Sequence, residues 1–250
     1  MTPTPKILYI HDDLSPDIDA RWGVESEAAR AARALLALVG RDESRTRILT
    51  LDEQLAALVR GRHAPFAVAV GIGSAGERVA RQTHALTGWF PRIERVEVTR
   101  EERDDGYELS TLGRPPLAAQ LTDVAGAASI AVVDDTIFSG LTMLAVLGAL
   151  PAADLARTQA FCLRAVAASL AAVGKLCPVE AGFVAEGRLL EDVSFINASG
   201  LIRRGAIRRV GQSPLAFYER PEWMRAWFLT DADDVRRRCV ALARLVGEDR

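Results

Sequence analysis

Two adjacent carboxylates, Asp134 and Asp135, close an apolar run, Ser129-Ile130-Ala131-Val132-Val133, and Thr136-Ile137-Phe138-Ser139-Gly140-Leu141-Thr142 follows them. Successive residues of a strand point to opposite faces, so neighbouring acids there need not crowd one spot. Carboxylates at such a point accept hydrogen bonds from the vicinal hydroxyls of a sugar. The hydroxyls and Gly140 stand where a helix starts, and free backbone N–H groups and the helix dipole favour a phosphate there. Acids for hydroxyls beside amides for a phosphate match a sugar phosphate. The plainer reading of the same residues is a capped helix after a strand.

A second loop, Gly71-Ile72-Gly73-Ser74-Ala75-Gly76, follows the apolar run Phe66-Ala67-Val68-Ala69-Val70 and precedes a helix expected from about residue 77. Alone it is G-x-G-x-x-G between strand and helix, the pattern of a dinucleotide site, and Glu94 and Glu97 stand near the distance of a ribose-binding acid. The alternation over residues 93–98 is read instead as one arm of an antiparallel excursion. A long, charged, mobile loop, Thr99-Arg100-Glu101-Glu102-Arg103-Asp104-Asp105-Gly106, forms its tip, and the chain is extended again over 107–112. Arg100 and Arg103 are its candidate anion contacts; internally paired charges on a solvated loop are the other reading.

The elements around these loops alternate. Short strands are expected at residues 6–10, 46–51, 66–70, 129–133, 158–163 and 179–184, with helices at 24–39, 52–60, 77–86, 141–150 and 165–173. Uninterrupted apolar strands are buried on both faces, as in a parallel sheet. Such alternation predicts a doubly wound α/β fold, in which ligands sit beyond the carboxyl ends of the strands. Past residue 187 the pattern turns irregular and gathers Phe195, Phe217, Tyr218, Trp223, Trp227 and Phe228. Three parts are expected: 1–60, packing on the core or on a hood; a core at 61–186; and a C-terminal hood or tail at 187–250.

The segment from Val132 to Thr142 resembles the phosphoribosyl pyrophosphate signature of type I phosphoribosyltransferases: apolar strand, two acids, then Ser/Thr-Gly-x-Thr. The resemblance implies that Asp134 and Asp135 contact the ribose hydroxyls, that Phe138, Ser139, Gly140, Leu141 and Thr142 grip the 5′-phosphate, and that Thr136 and Ile137 between them also bind substrate. It implies that Gly71 to Gly76 bind pyrophosphate and that the Arg100–Arg103 loop closes over the site. It implies Mg2+ held mainly by substrate oxygens and water, with Asp134 and Asp135 helping indirectly. The donor would be phosphoribosyl pyrophosphate, the acceptor an unidentified nucleophile, a nitrogenous base first with ammonia-like and hydroxyl acceptors also open, and the enzyme a homodimer. Phe138 stands where a small or acidic residue is usual, and the charged loop has no Lys.

Composition narrows the alternatives. The 250 residues carry 31 basic and 33 acidic side chains, a net charge of −2, so bulk polyanion binding and nucleic acid are not expected. No apolar run spans a membrane and the first residues carry no apolar leader. Cys162, Cys177 and Cys239 lie far apart without CxxC spacing, which fits a reducing cytoplasm. His11, His63 and His84 form no ligand or triad pattern. Besides the transferase, two readings remain: a regulator that senses phosphoribosyl pyrophosphate without turnover, and a dinucleotide-binding oxidoreductase.

Overall fold

The structure, a computed structural model, describes residues 4–103 and 106–248. Its strands are β1 (Ile7–Asp12), β2 (Thr46–Thr50), β3 (Val68–Ile72), β4 (Ile93–Val96), β5 (Thr99–Arg103), β6 (Gly106–Ser110), β7 (Ile130–Ile137), β8 (Thr158–Val166), β9 (Val179–Ala185) and β10 (Val193–Asn197). Its helices are α1 (Leu14–Trp22), α2 (Glu27–Val39), α3 (Leu51–Leu58), α4 (Gly73–Thr87), α5 (Leu117–Gln120), α6 (Leu141–Gly148), α7 (Ala152–Leu155), α8 (Ala167–Val173), α9 (Pro221–Phe228) and α10 (Ala232–Leu245).

Packing divides the chain into two units rather than three consecutive parts. One comprises residues 1–51, 102–106 and 188–250; the other comprises 52–101 and 107–187. In the first, β1 pairs in parallel with both β2 and β10, so the two ends of the chain share one sheet. Its apolar core joins Leu8 and Ile10 of β1, Ala32, Leu35 and Leu36 of α2, and Val235, Cys239 and Leu242 of α10. The tail is therefore not irregular. Phe217, Trp223 and Trp227 pack ring to ring at centroid separations of 5.2–5.9 Å. The paired arginines of the tail are engaged within this unit: Arg203 by Asp17 and Glu248, Arg204 by Glu219, Arg209 by Glu102.

The second unit carries a five-stranded sheet in the order β4-β3-β7-β8-β9, every pair parallel. All of β3 and most of β7 and β8 are buried, as uninterrupted apolar strands require. Val68, Val70, Ile130, Val132, Ala160 and Cys162 share one face with Met143, Val146 and Leu147 of α6 and Val173 of α8. The alternate face receives α4, whose Gly76 abuts the Val133 carbonyl. Helices on both faces of a parallel sheet make this a doubly wound α/β fold.

The strand at residues 93–98 corrects the expectation. β4 is parallel to β3, with Gly71 opposite Arg95, and belongs to the main sheet rather than to an antiparallel excursion. The excursion is β5 with β6, a separate two-stranded sheet. With two residues between them these strands pair only antiparallel. Among the described residues, no helix is long and apolar enough to cross a membrane.

Candidate functional site

The sheet order fixes where a ligand fits. From β3 the chain goes to β4 on one side and later returns to β7 on the other, so the β3/β7 junction is the point where the winding reverses. The loops leaving two strands on either side of such a junction diverge to opposite faces and leave a crevice between them. Both loops singled out in the sequence leave β3 and β7 at their carboxyl ends.

The last β3–β7 pair is Gly71 with Val133. Asp134 is thus the first β7 residue without a β3 partner. The acids do not end the strand, as the sequence suggests: β8 carries β7 on to Ile137 through Asp134–Cys162, Thr136–Arg164 and Ile137–Ala165 pairs. One edge of β7 stays sheeted while the other opens at the acids.

The two carboxylates are chemically unequal. Asp134 is buried, and its Oδ1 accepts the Asp135 backbone N–H at 2.8 Å. Burial, reinforced by the charge of Asp135, pushes its pKa well above the usual carboxylate range. Asp135 is half-buried, and its Oδ2 accepts from Arg164 Nη2 at 3.1 Å. Arg164 is itself 1% exposed, and its Nη1 donates to Oε1 of the buried Gln54 on α3 at 3.3 Å. A guanidinium stands opposite Asp135, whereas burial of Asp134 disfavours its charged form.

Past Ile137 the chain makes a tight turn. The Phe138 carbonyl accepts from Ser169 Oγ at 2.6 Å, which ties the turn to α8. Gly140 is left-handed (φ 81°), a conformation that favours glycine, and it precedes α6 without any side-chain cap. The first N–H groups of α6 have no intrahelical acceptor. Ser139 Oγ accepts from Arg100 Nη1 at 3.3 Å, so one of the two expected loop arginines reaches this turn. Thr142 is half-buried and Leu141 exposed, while Ile137 lies in the core and can offer a ligand only its backbone. Thr136 Oγ1 is buried with no hydrogen-bond partner among the described residues.

The glycine segment is more helical than expected. α4 starts at Gly73, so Gly73, Ser74, Ala75 and Gly76 are its first turn, again without a side-chain cap. The glycines do different work. A Cβ on Gly71 would lie 2.5 Å from Glu77 N and Cα, and one on Gly76 would lie 2.3 Å from the Val133 carbonyl oxygen. Both are close-packing positions, and they press the start of α4 against β3 and β7. Gly73 has φ 58° and open space around it. Ile72 is in the core, Ala75 is half-buried and Ser74 is exposed. Because Gly76 meets Val133 and Asp134, the first turn of α4 adjoins the acids of β7.

The charged loop is shorter than expected, because Arg100 and Arg103 lie within β5. Arg100 also sits over the Tyr107 ring at 5.8 Å. Arg103 is exposed at the end of β5 and falls in the first unit, where neighbouring Glu102 pairs with Arg209 and Arg220. Asp104 and Asp105 of the loop expected to be mobile, Arg100 to Gly106, lie outside the described residues. Glu94 pairs with Arg92, and Glu97 with Arg95.

A cleft of about 450 Å³ beyond the end of β4 is lined by Arg95, Glu97, Arg114, Pro115 and Gln120, and by none of the residues the sequence nominated. The crevice at β3/β7 rests on topology and on the loops, not on cavity size. Arg164 and Gln54 were missed from sequence. The signal available was one arginine inside an otherwise apolar strand: Arg164 falls at the joint between the strand expected to end at residue 163 and the helix expected from 165, whereas β8 runs to Val166.

No model of a known protein family matches the chain, and no curated protein matches it. Among solved structures it is similar to a purine phosphoribosyltransferase from Pyrococcus horikoshii, at 14% identity and TM-score 0.37 over 58% of this chain and 86% of that one. A hypothetical protein from Neisseria gonorrhoeae with bound ppGpp matches at 15% and 0.39 over 84% and 92%. An orotate phosphoribosyltransferase from Aeropyrum pernix matches at 12% and 0.32 over 64% and 74%. At such values these likenesses add no weight to the geometry.

Proposed function

We propose that the second unit binds phosphoribosyl pyrophosphate and transfers its 5-phosphoribosyl group to a nucleophilic acceptor, releasing pyrophosphate. The observation that carries the reading is the junction itself: an acid pair and an uncapped, glycine-started α6 on β7, against the uncapped first turn of α4 on β3. Each part suits one piece of the donor. Asp134 and Asp135 hydrogen-bond the two ribose hydroxyls. The N–H groups opening α6, with Ser139 and Thr142, hold the 5′-phosphate. The N–H groups opening α4 face the pyrophosphate, and Arg100 lends a positive charge as the leaving group gains a negative one. The transition state has positive charge on the ribose ring, which the Asp135 carboxylate favours. Positioning and electrostatics supply the catalysis, and no protein nucleophile is needed.

The Mg2+ implied for such a donor fits these residues only as a guest of the substrate. Among the described residues no group of three or more His, Cys, Asp or Glu gathers to hold a cation, and Asp135 is already paired with Arg164. Asp134 and Asp135 would touch it through water or substrate oxygen, and its chemistry would be to neutralise the pyrophosphate. The acceptor is read as nitrogenous from the resemblance alone.

One observation favours a second reading. β3, α4 and the parallel β4 form the unit on which a G-x-G-x-x-G dinucleotide site is built, and the antiparallel argument against it has gone. Against it, the carboxylate of Glu97 beyond β4 is engaged by Arg95. A mass-spectrometric screen of acceptors with phosphoribosyl pyrophosphate and Mg2+ tests the first reading. Pyrophosphate release with a phosphoribosylated product supports it; tight binding without turnover favours a sensor; affinity for a nicotinamide or flavin dinucleotide alone would replace it.

A further inference from the structure

Asp135 is not held by its own strand alone. The guanidinium that meets it comes from β8, and the amide that meets the guanidinium comes from α3. Both partners are sealed from water: Arg164 is 1% exposed and Gln54 2%. Nη1 and Nη2 of the guanidinium each have an acceptor, and a planar fork held at two points has little freedom left. The backbone is shaped for this contact. A Cβ at Gly182 of β9 would lie 2.3 Å from the Gln54 carbonyl oxygen, so α3 reaches its depth because position 182 has no side chain.

We propose that Gln54 and Arg164 are positioning residues that aim and charge the Asp135 carboxylate for a ligand hydroxyl, which makes α3 part of the sugar site. The inference rests on the phosphoribosyl reading for the identity of the ligand, but the relay itself is a property of the protein. The contact fixes Asp135 Oδ2 on Arg164. Removing Gln54 takes away the Nη1 acceptor on α3 and loosens the aim of Arg164 and of the carboxylate, without removing any group that touches substrate.

The test compares wild type with Gln54→Leu and Arg164→Lys in the whole chain. Nitrogen-15 NMR of the Arg164 side chain reads the relay without any substrate, and steady-state pyrophosphate release reads its consequence. The expected result is loss of the resolved, slowly rotating guanidinium signals in Gln54→Leu. KM for phosphoribosyl pyrophosphate rises about tenfold, the scale of one buried hydrogen bond left unmade, and kcat falls no more than about threefold. Arg164→Lys, which keeps the charge but cannot fork, lies between the two. A Gln54→Leu protein with altered Arg164 signals and unchanged KM overturns the proposal. So do unchanged Arg164 signals. A wild-type protein with intact guanidinium signals that neither binds nor turns over phosphoribosyl pyrophosphate overturns the functional reading instead.

Discussion

At the residue scale, Asp134 is where function and stability oppose each other. Its pKa is raised above the ordinary value of about 3.9 by burial and by Asp135. The folded state then holds a proton that the unfolded chain gives up. Stability is full below that ordinary value and is lost as pH rises from it through the raised one. Asp134→Asn keeps the shape, and still accepts from the Asp135 N–H, but has no charge to bury. Its thermal midpoint at pH 7 is expected above that of wild type, by about 2–4 °C for each kcal/mol recovered, with a flatter dependence between pH 4 and 8. Calorimetric scans across that range check this; a lower midpoint at pH 7 would show that the side chain is not carrying a burial cost. The glycines divide in the same way. Gly76→Ala drives a Cβ into the Val133 carbonyl and is expected to cost several kcal/mol or prevent folding, whereas Gly73→Ala meets only the left-handed penalty of about 1–2 kcal/mol. Urea unfolding of the two variants measures the contrast. Sequence showed both positions as glycine; only the packing of α4 on β7 tells a close contact from a positive φ.

At the element scale, β5 sets Arg100 on the turn between β7 and α6, through Ser139. Arg100→Ala is expected to lower kcat/KM for the donor about 10–100-fold, with a smaller loss of affinity for ribose 5-phosphate, which lacks the pyrophosphate. Equal losses for both would place Arg100 on the 5′-phosphate instead. The elements that sequence captured best were those with one dominant cause. β3, β7 and β8 are buried on both faces and announce themselves as apolar runs, and the helices after them follow from the spacing of their apolar residues. β4 was misread because it is an edge strand. Its exposed side leaves Ile93-Glu94-Arg95-Val96 alternating, which looks the same for a parallel edge and for an antiparallel arm. α1 was missed because only Leu14 and Ile18 anchor it, and β10 because its β1 partners, such as Ile7 for Val193, lie 186 residues away in sequence.

At the scale of the whole molecule, the described residues form two apolar cores, and the candidate site belongs to one of them. The first is built from both ends of the chain, so no local pattern announces it; the second is nearly continuous in sequence and carries every residue of the acid pair, the turn and the glycine segment. Trp227 lies in the first core, packed on Phe217, Trp223 and Phe228. Trp227→Ala is expected to cost about 3–5 kcal/mol of stability while leaving the donor affinity of the folded protein within about twofold. Denaturation and titration of the same variant decide this, and a parallel loss of affinity would mean that the site needs more than the second unit.

The most direct test is calorimetric titration of phosphoribosyl pyrophosphate, with Mg2+, into wild type and into the Asp134→Asn, Asp135→Asn double variant. Saturable binding by wild type that vanishes in a double variant with a native circular dichroism spectrum is the expected result. Equal affinity in the two proteins, or no binding by wild type, contradicts the assignment of the β3/β7 crevice as the sugar phosphate site.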